Sequence, residues 1–346
     1  MKMLIDKLEQ NKILEKQELI ELLTNRNADL DQYLFKKARN IREKYFGKDV
    51  YIRGLIEFSN YCKNDCYYCG IRRSNRNVER YRLSKEQILE CCKIGYDLGF
   101  RTFVLQSGED NFYTDEKMVD IISAIRKGYP DCAITLSFGE KSYDSYKKYF
   151  DAGANRYLLR HETATDEHYA KLHPESMLLS TRKQCLNDLK EIGFQVGCGF
   201  MIGSPFQTIE YIAEDLLFIH ELQPQMVGIG PFISHKDTPF KDEKNGSLEL
   251  TLFVLGLIRL ILPNALIPAT TALGSIDEIG RESGILAGAN VVMPNLSPLD
   301  VRKKYLLYDN KICTGAEAAE SRFCLNRSME DIGYEIVVSR GDFRKE

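Results

Sequence analysis

Cys62-Lys63-Asn64-Asp65-Cys66-Tyr67-Tyr68-Cys69 sets three cysteines at a C-x3-C-x2-C spacing inside one short loop. Structural zinc sites and closed iron-sulfur clusters take four protein ligands, so three thiolates leave such a site one ligand short. Between Ser59 and Asn77 there is no further Cys or His. A 4Fe-4S cluster held by three cysteines keeps one iron open, and an open iron can chelate a small molecule and act on it.

Outward from this loop the chain alternates between strand-like and helix-like stretches. Apolar or β-branched runs fall at about 50–58, 101–106, 133–138, 156–162, 195–202, 225–230, 265–271 and 289–293, with helical periodicity between them. A glycine recurs where a helix should hand over to the next strand, at Gly99, Gly153, Gly193 and Gly288. Ser84-Lys85-Glu86-Gln87 reads as a capping box opening the first of these helices. Eight β-α units of this kind predict an α/β fold, a closed (βα)8 barrel of TIM type. Residues 1–47 read as an N-terminal helical extension covering the bottom of the barrel, 48–307 as the barrel, and 308–346 as a short C-terminal tail.

Strand alternation then predicts which side chains enter the lumen. Arg156, Arg160 and Glu162 share the inner face of one strand, with Tyr157 and Leu159 turned towards the helices. Thr135 and Ser137 point inward, and so do Gly197, Gly199 and Met201, while Ile134, Leu136, Phe138, Val196, Cys198, Phe200 and Ile202 point outward. Arg53, Glu57, Thr102 and Gln106 fall on the same inner surface. An ordinary barrel packs this space with Val, Ile and Leu. Charges, hydroxyls and glycines predict instead a polar cavity for polar or anionic ligands; the competing reading is internal ion pairing, such as Arg160 with Glu162.

Composition excludes several classes of function. With 346 residues and 44% hydrophobic content the chain can bury a large core, and a net charge of −3 with scattered Lys and Arg gives no footprint for nucleic acid. The longest apolar run, Leu250 to Ile258, is about half of what a bilayer span needs. No hydrophobic region follows Met1, and ten cysteines without an export signal predict reduced thiols in a cytoplasm. Cys91, Cys92, Cys132, Cys185 and Cys198 fall on element faces and read as small core residues. His161, His168 and His173 read as structural or surface residues, whereas His235 lies at the active end of its strand.

The cysteine spacing, with Tyr68 before the third Cys, resembles the signature of the radical SAM superfamily. The resemblance implies a 4Fe-4S cluster on Cys62, Cys66 and Cys69 whose open iron binds S-adenosylmethionine. One electron then breaks the S–C5′ bond and releases a 5′-deoxyadenosyl radical. Gln106-Ser107-Gly108-Glu109-Asp110 is similar to the superfamily motif at the methionyl amine, so Ser107, Gly108 and Glu109 are carried over as cofactor contacts. Glu162 matches the ribose-binding acid and Arg182 the partner of the methionyl carboxylate, and Tyr68 and Met201 complete the cofactor set. Ser137, Thr135, Arg156, Arg160, Thr270 and Thr271 are the candidates for the substrate cavity.

A narrower resemblance runs through Ile56–Asn60, Arg156–Thr163, Met226–Ile233 and Ile267–Ala272. These segments look like the FeFe-hydrogenase maturase family of HydE type, related to biotin synthase and methylornithine synthase. It implies assembly of the hydrogenase diiron subcluster from an organometallic iron precursor or another small molecule, beside sister maturases and a low-potential electron donor, a ferredoxin or flavodoxin. Two alternatives stand: a mutase converting lysine to 3-methylornithine, and a non-enzymatic zinc module. Many HydE-like chains hold a second cluster on a C-terminal cysteine triplet, but this tail offers only Cys313 and Cys324, so the second cluster is expected to be absent. Sulfur insertion as in biotin synthase is disfavoured, because Ser137 and Met201 stand at inward positions where extra cysteines are needed.

Overall fold

The computed structural model describes residues 1–312 and 318–344. Three helices, α1 (Lys2–Asn11), α2 (Lys16–Thr24) and α3 (Ala28–Phe46), lead into β1 (Asp49–Ile52) and β2 (Gly54–Ser59). Then follow α4 (Lys85–Asp97), β3 (Thr102–Ser107), α5 (Asp115–Gly128), β4 (Ala133–Ser137), α6 (Tyr143–Asp151) and β5 (Arg156–Leu158). Next are α7 (Asp166–Leu172), α8 (Leu179–Ile192), β6 (Gln195–Cys198), β7 (Met201–Ile202), α9 (Ile209–Leu222), β8 (Met226–Val227) and β9 (Gly230–Pro231). The chain finishes through α10 (Leu248–Ile261), α11 (Thr271–Ile276), α12 (Gly280–Leu286), β10 (Val291–Val292), α13 (Leu299–Arg302), α14 (Ala318–Asp331) and β11 (Glu335–Val337).

Six parallel strands in the order β2-β3-β4-β5-β6-β8 form most of the barrel wall. Single parallel bridges, Met226 to Leu266, Pro268 to Val291 and Leu55 to Asn295, carry the wall back to β2 and close it. The expected (βα)8 barrel is therefore the architecture. Its outward-facing residues Ile134, Leu136, Tyr157, Val196 and Cys198 are at most 1% exposed and join one continuous core beneath the helices. Cys91, Cys92, Cys132 and Cys185 are buried in that core as well.

Local signals place the helices as the pattern required. Ser84 accepts the N–H of Gln87 and the Gln87 side chain accepts that of Ser84, which starts α4. Gly99, Gly153, Gly193 and Gly288 all sit at positive φ after their helices, where a side chain is strained. The apolar α10 is buried from Thr251 to Ile261, covered by α3 and α1 on one side. Its Arg259 is fully buried and donates to the carbonyls of Gly288, Pro263 and Ala265, each at 2.8 Å.

Two features differ from the expected layout. The apolar run at 50–58 breaks at Arg53, so β1 leaves the barrel wall and pairs in parallel with β10 and with the C-terminal β11. Of the N-terminal helices only the end of α3, Phe46, reaches the floor cluster; α2 packs on α9 and α3 on α10 along the outside. Residues after β11 complete the floor. Phe343 packs onto Phe46, Tyr51, Met226, Leu266 and Val291, and the carbonyl of Arg340 accepts from Thr102 at 2.8 Å.

Candidate functional site

The cysteine loop leaves the C-terminal end of β2 and is held in shape without regular secondary structure. Arg80 donates to four carbonyls, those of Asn60, Ile71, Arg72 and Asn75. Asp65 accepts from Arg72 Nε at 2.7 Å and from the N–H of Ser74 at 3.0 Å. Backbone bonds stitch the loop to its surroundings: Lys63 to Glu109, Tyr67 to Leu172 and Gly70 to Leu307. Gly108 must be small, because a Cβ there would lie 2.3 Å from the Tyr61 carbonyl and 2.8 Å from Cys62 Cβ. That close approach brings the N–H of Glu109 to 3.4 Å from Cys62 Sγ.

Cys62, Cys66 and Cys69 are free thiols, each partly exposed. Burial pushes all three upwards, Cys66 well above its ordinary range and Cys69 to about 12, with neighbouring cysteine sulfurs adding to the effect at Cys66 and Cys69. Only a bound cation would hold such a trio as thiolates at neutral pH. Among the described residues no three His, Cys, Asp or Glu side chains converge on a single metal-ion position. Three cysteines on a cube of four irons each bind a different iron and need no common point, unlike three ligands of one zinc.

Tyr68 is oriented by a histidine. Its hydroxyl donates to His173 Nε2 at 3.1 Å, since His173 Nδ1 faces the Tyr169 carbonyl at 3.0 Å and therefore carries the ring proton. Burial, and then the Arg182 charge, lower the His173 pKa to about 3, so the ring is a neutral acceptor. His173 is 1% exposed and His161 and His168 are fully buried. Of the two roles open to them in the sequence, structure and surface, all three have the structural one. His235 is buried too, but it packs against Gly70 behind the cysteine loop rather than in the cavity.

The loop covers a cavity of about 330 Å³ at the C-terminal mouth of the barrel, within the range of small-molecule sites. Cys62, Cys66, Tyr68 and Cys69 line it from above, and Ser107, Gly108 and Glu109 from the end of β3. Glu162 after β5, Arg182 from α8 and Met201 from β7 face it, and Ser137, Arg160, Thr270 and Thr271 complete the candidates it brings together. Glu162, four residues beyond β5, sits at φ +66°, a strained conformation for a non-glycine residue. The fully buried His161 beneath it accepts the N–H of Gly199 at 3.2 Å and lies 3.4 Å from Asp215. Arg182 is fixed by Glu140 Oε1 at 2.5 Å and by the Arg160 carbonyl at 2.7 Å.

Thr135 and Arg156 are the exceptions. Neither lines the cavity. Arg156 begins β5 and is fully buried at the floor, donating to Asp342 Oδ1 at 2.7 Å, to the Arg340 and Gly341 carbonyls at 2.9 and 3.2 Å, and to Thr102. Thr135 pairs with it in the same layer. Alternation gave the correct face for both but said nothing of height along the barrel.

Residues that strand alternation did not assign to the cavity come from beyond the barrel. Lys311 reaches back to the fully buried Glu57, forming an ion pair with its Oε1 and donating to the Tyr305 carbonyl at 3.0 Å. Asn295 donates to the other Glu57 oxygen at 2.8 Å. Tyr305, Leu307, Tyr308 and Lys311 line one side of the cavity. A buried inward carboxylate at Glu57 was the sequence signal that some cation had to arrive, but not from where.

The radical SAM superfamily model matches residues 56–219. Over 330 residues the chain is 44% identical to the FeFe-hydrogenase maturase subunit HydE of Thermotoga maritima, covering 95% of this chain and 94% of that protein. The chain belongs to the HydE family of radical SAM enzymes. It is also 32% identical to the 3-methylornithine synthase of Methanosarcina acetivorans, over 82% of this chain and 81% of that one. The crystal structure of methylornithine synthase (PylB) superposes with a TM-score of 0.83 at 29% identity, covering 96% and 97% of the two chains.

Membership of the radical SAM family implies a 4Fe-4S cluster and S-adenosylmethionine. The mouth of this barrel suits both. Buried polar atoms there lack hydrogen-bond partners within the protein: Glu162 Oε2, and Arg160 Nε and Nη2. Arg160 Nη2 and Glu162 Oε2 do form the ion pair weighed as an alternative, at 3.3 Å, but without a hydrogen bond between them, so their hydrogen-bonding capacity stays open. Orphaned donors and acceptors facing a cavity are costly unless a ligand takes them.

Proposed function

We propose that this enzyme acts in assembly of the FeFe-hydrogenase diiron subcluster, cleaving S-adenosylmethionine reductively to a 5′-deoxyadenosyl radical. The observation that carries this reading is the 44% identity to a HydE subunit across nearly the whole chain. When bound, the cluster supplies the electron that breaks the S–C5′ bond. In this reading the protein's own residues bind, orient and exclude water. Cys62, Cys66 and Cys69 hold three irons, and Tyr68, pinned by His173, packs beside them. Ser107, Gly108 and Glu109 present the end of β3 to the methionyl amine, Arg182 faces the carboxylate, and Glu162 accepts from the ribose hydroxyls. Met201 packs nearby. Ser137, Arg160, Thr270 and Thr271 face the substrate, an organometallic iron precursor or another small molecule.

The protein would work with sister maturases and a low-potential electron donor in the cytoplasm, without nucleic acid or membrane. No helix among the described residues is long and apolar enough to cross a membrane. A second cluster is not part of the proposal: Cys324 is exposed on α14 and Cys313 lies outside the described residues. The superposition on methylornithine synthase favours, as a second reading, a mutase that acts on lysine.

The test is anaerobic reconstitution with iron and sulfide, reduction, and quantification of 5′-deoxyadenosine beside Cys66→Ala. Product from the native chain and none from the variant is expected. An intact cluster with no product sinks the chemistry. With turnover established, consumption of an iron-carbonyl-cyanide complex supports the maturase, and conversion of lysine to 3-methylornithine supports the second reading.

A further inference from the structure

Residues 61–85 contain seven Lys and Arg against two acidic residues, Asp65 and Glu79, in a chain whose net charge is −3. The basic residues expected to be scattered are thus concentrated on the segment that carries the three cysteines. Most local acids are already paired, Asp65 with Arg72 at 2.7 Å, Glu79 with Lys304, and the buried Glu109 and Asp110 with Lys63 and Arg82 at 3.0 and 2.7 Å, while Asp237 accepts from Asn77 Nδ2 at 2.8 Å. Arg73 and Arg76 are exposed and form no ion pair among the described residues. The N–H of Arg73 donates to the Asn64 carbonyl at 2.9 Å, so this residue is anchored against the stretch between Cys62 and Cys66.

Next to Arg82, on the same basic segment, two aromatic rings face solvent, Tyr61 at 36% and Phe112 at 46% exposure. The Arg82 guanidinium lies 3.8 Å from the Tyr61 ring and 4.6 Å from that of Phe112, and Lys117 Nζ lies 3.3 Å above Phe112. Solvent-facing aromatics bordered by arginine match the composition of protein interfaces rather than of ordinary surface. Each cleavage of adenosylmethionine consumes one electron: a carrier is oxidised by one electron, the sulfonium is reduced, and the S–C5′ bond breaks to methionine and the 5′-deoxyadenosyl radical. Outside the loop, every described cysteine is a core residue except Cys324. The electron therefore has to enter from another molecule next to this loop.

We propose that the basic surface of the 61–85 segment, with the exposed Arg73 and Arg76 and the aromatic pair Tyr61 and Phe112 beside Arg82, docks a small acidic one-electron carrier protein, an inference that rests on the radical SAM reading above. Charge complementarity steers the encounter and makes it sensitive to salt.

The experiment compares two reductants on the reconstituted full chain, an acidic flavodoxin in its hydroquinone form and dithionite, following 5′-deoxyadenosine. In the double variant Arg73→Glu, Arg76→Glu the flavodoxin-driven rate at low salt should fall by about ten-fold or more, the scale of lost electrostatic steering. The dithionite-driven rate should stay within about two-fold, and added KCl should slow only the native flavodoxin reaction. Reversing Lys36 and Lys44 on α3 is the distant control and should change neither. An unchanged flavodoxin rate in the double variant overturns the proposal, as does an equal loss with dithionite on an intact cluster. Retention of a single-stranded RNA oligonucleotide by these arginines, with flavodoxin kinetics unaffected, overturns it in favour of a polyanion site. Absence of product from the native chain with dithionite would count against the proposed function, not against the docking face.

Discussion

The two ends of this barrel are lined by the same kinds of residue and behave in opposite ways. At the floor, Arg156 is surrounded by partners from the chain's own tail: two carbonyls and the Asp342 carboxylate. At the mouth, Arg160 sits four residues further along the same stretch, and two of its donors find no hydrogen bond. A guanidinium whose donors are filled by its own chain is structural, whereas one with open donors facing a cavity is held ready for a ligand.

Substitutions at the mouth should give the largest effect. Glu162→Gln is expected to weaken adenosylmethionine binding by about 10- to 100-fold, the worth of a hydrogen bond to a charged group, with little change in thermal stability. Isothermal titration of the reconstituted protein checks it; unchanged affinity would mean that the orphaned Glu162 oxygen serves something else. The floor should answer the other way. Asp342→Ala should cost about 1–3 kcal/mol in urea unfolding, less than a fully buried pair because Asp342 remains 39% exposed, while adenosylmethionine affinity holds. Adding Arg156→Met should recover part of that loss, since the uncompensated buried charge is then gone.

Acid separates the two ends more gently. His161 and His173, under and beside the mouth, have pKa values lowered to about 3, chiefly by burial. Unfolded imidazoles take up a proton near 6.5, so below that pH the unfolded state binds more protons and the histidine contribution declines as pH falls towards 3. Burial raises the Asp342 pKa, but hydrogen bonds from Arg340 and attraction to Arg156 outweigh it and hold the carboxyl below its ordinary value. Its contribution is complete above the unfolded carboxylate pKa and is lost only below that, as pH falls through the depressed one. Hydrogen exchange at pH 7, 5 and 4 should therefore show the 62–72 loop opening before β11. The reverse order would mean that the floor, not the mouth, limits acid stability.

Much of this arrangement was legible from local chemistry. The capping box at Ser84, the glycines after four helices and the alternating runs specify β-α units without long-range information, because each rule acts within a few residues. Fourteen of the sixteen candidate site residues line the mouth; Thr135 and Arg156 do not. Lys311 was missed because its partner Glu57 lies 254 residues away, and no local pattern encodes such a pairing.

The sequence by itself determined the three-cysteine loop, the barrel, the face each strand presents to the lumen and the family. Periodicity and ligand spacing are properties of neighbouring residues, so they can be read directly. Only the tertiary structure decided which inward charges belong to the mouth and which to the floor, that the tail is the plug, and that Lys311 returns to the buried Glu57. Those outcomes depend on where the closed barrel brings distant segments together, and on whether each buried charge there finds a partner in its own chain.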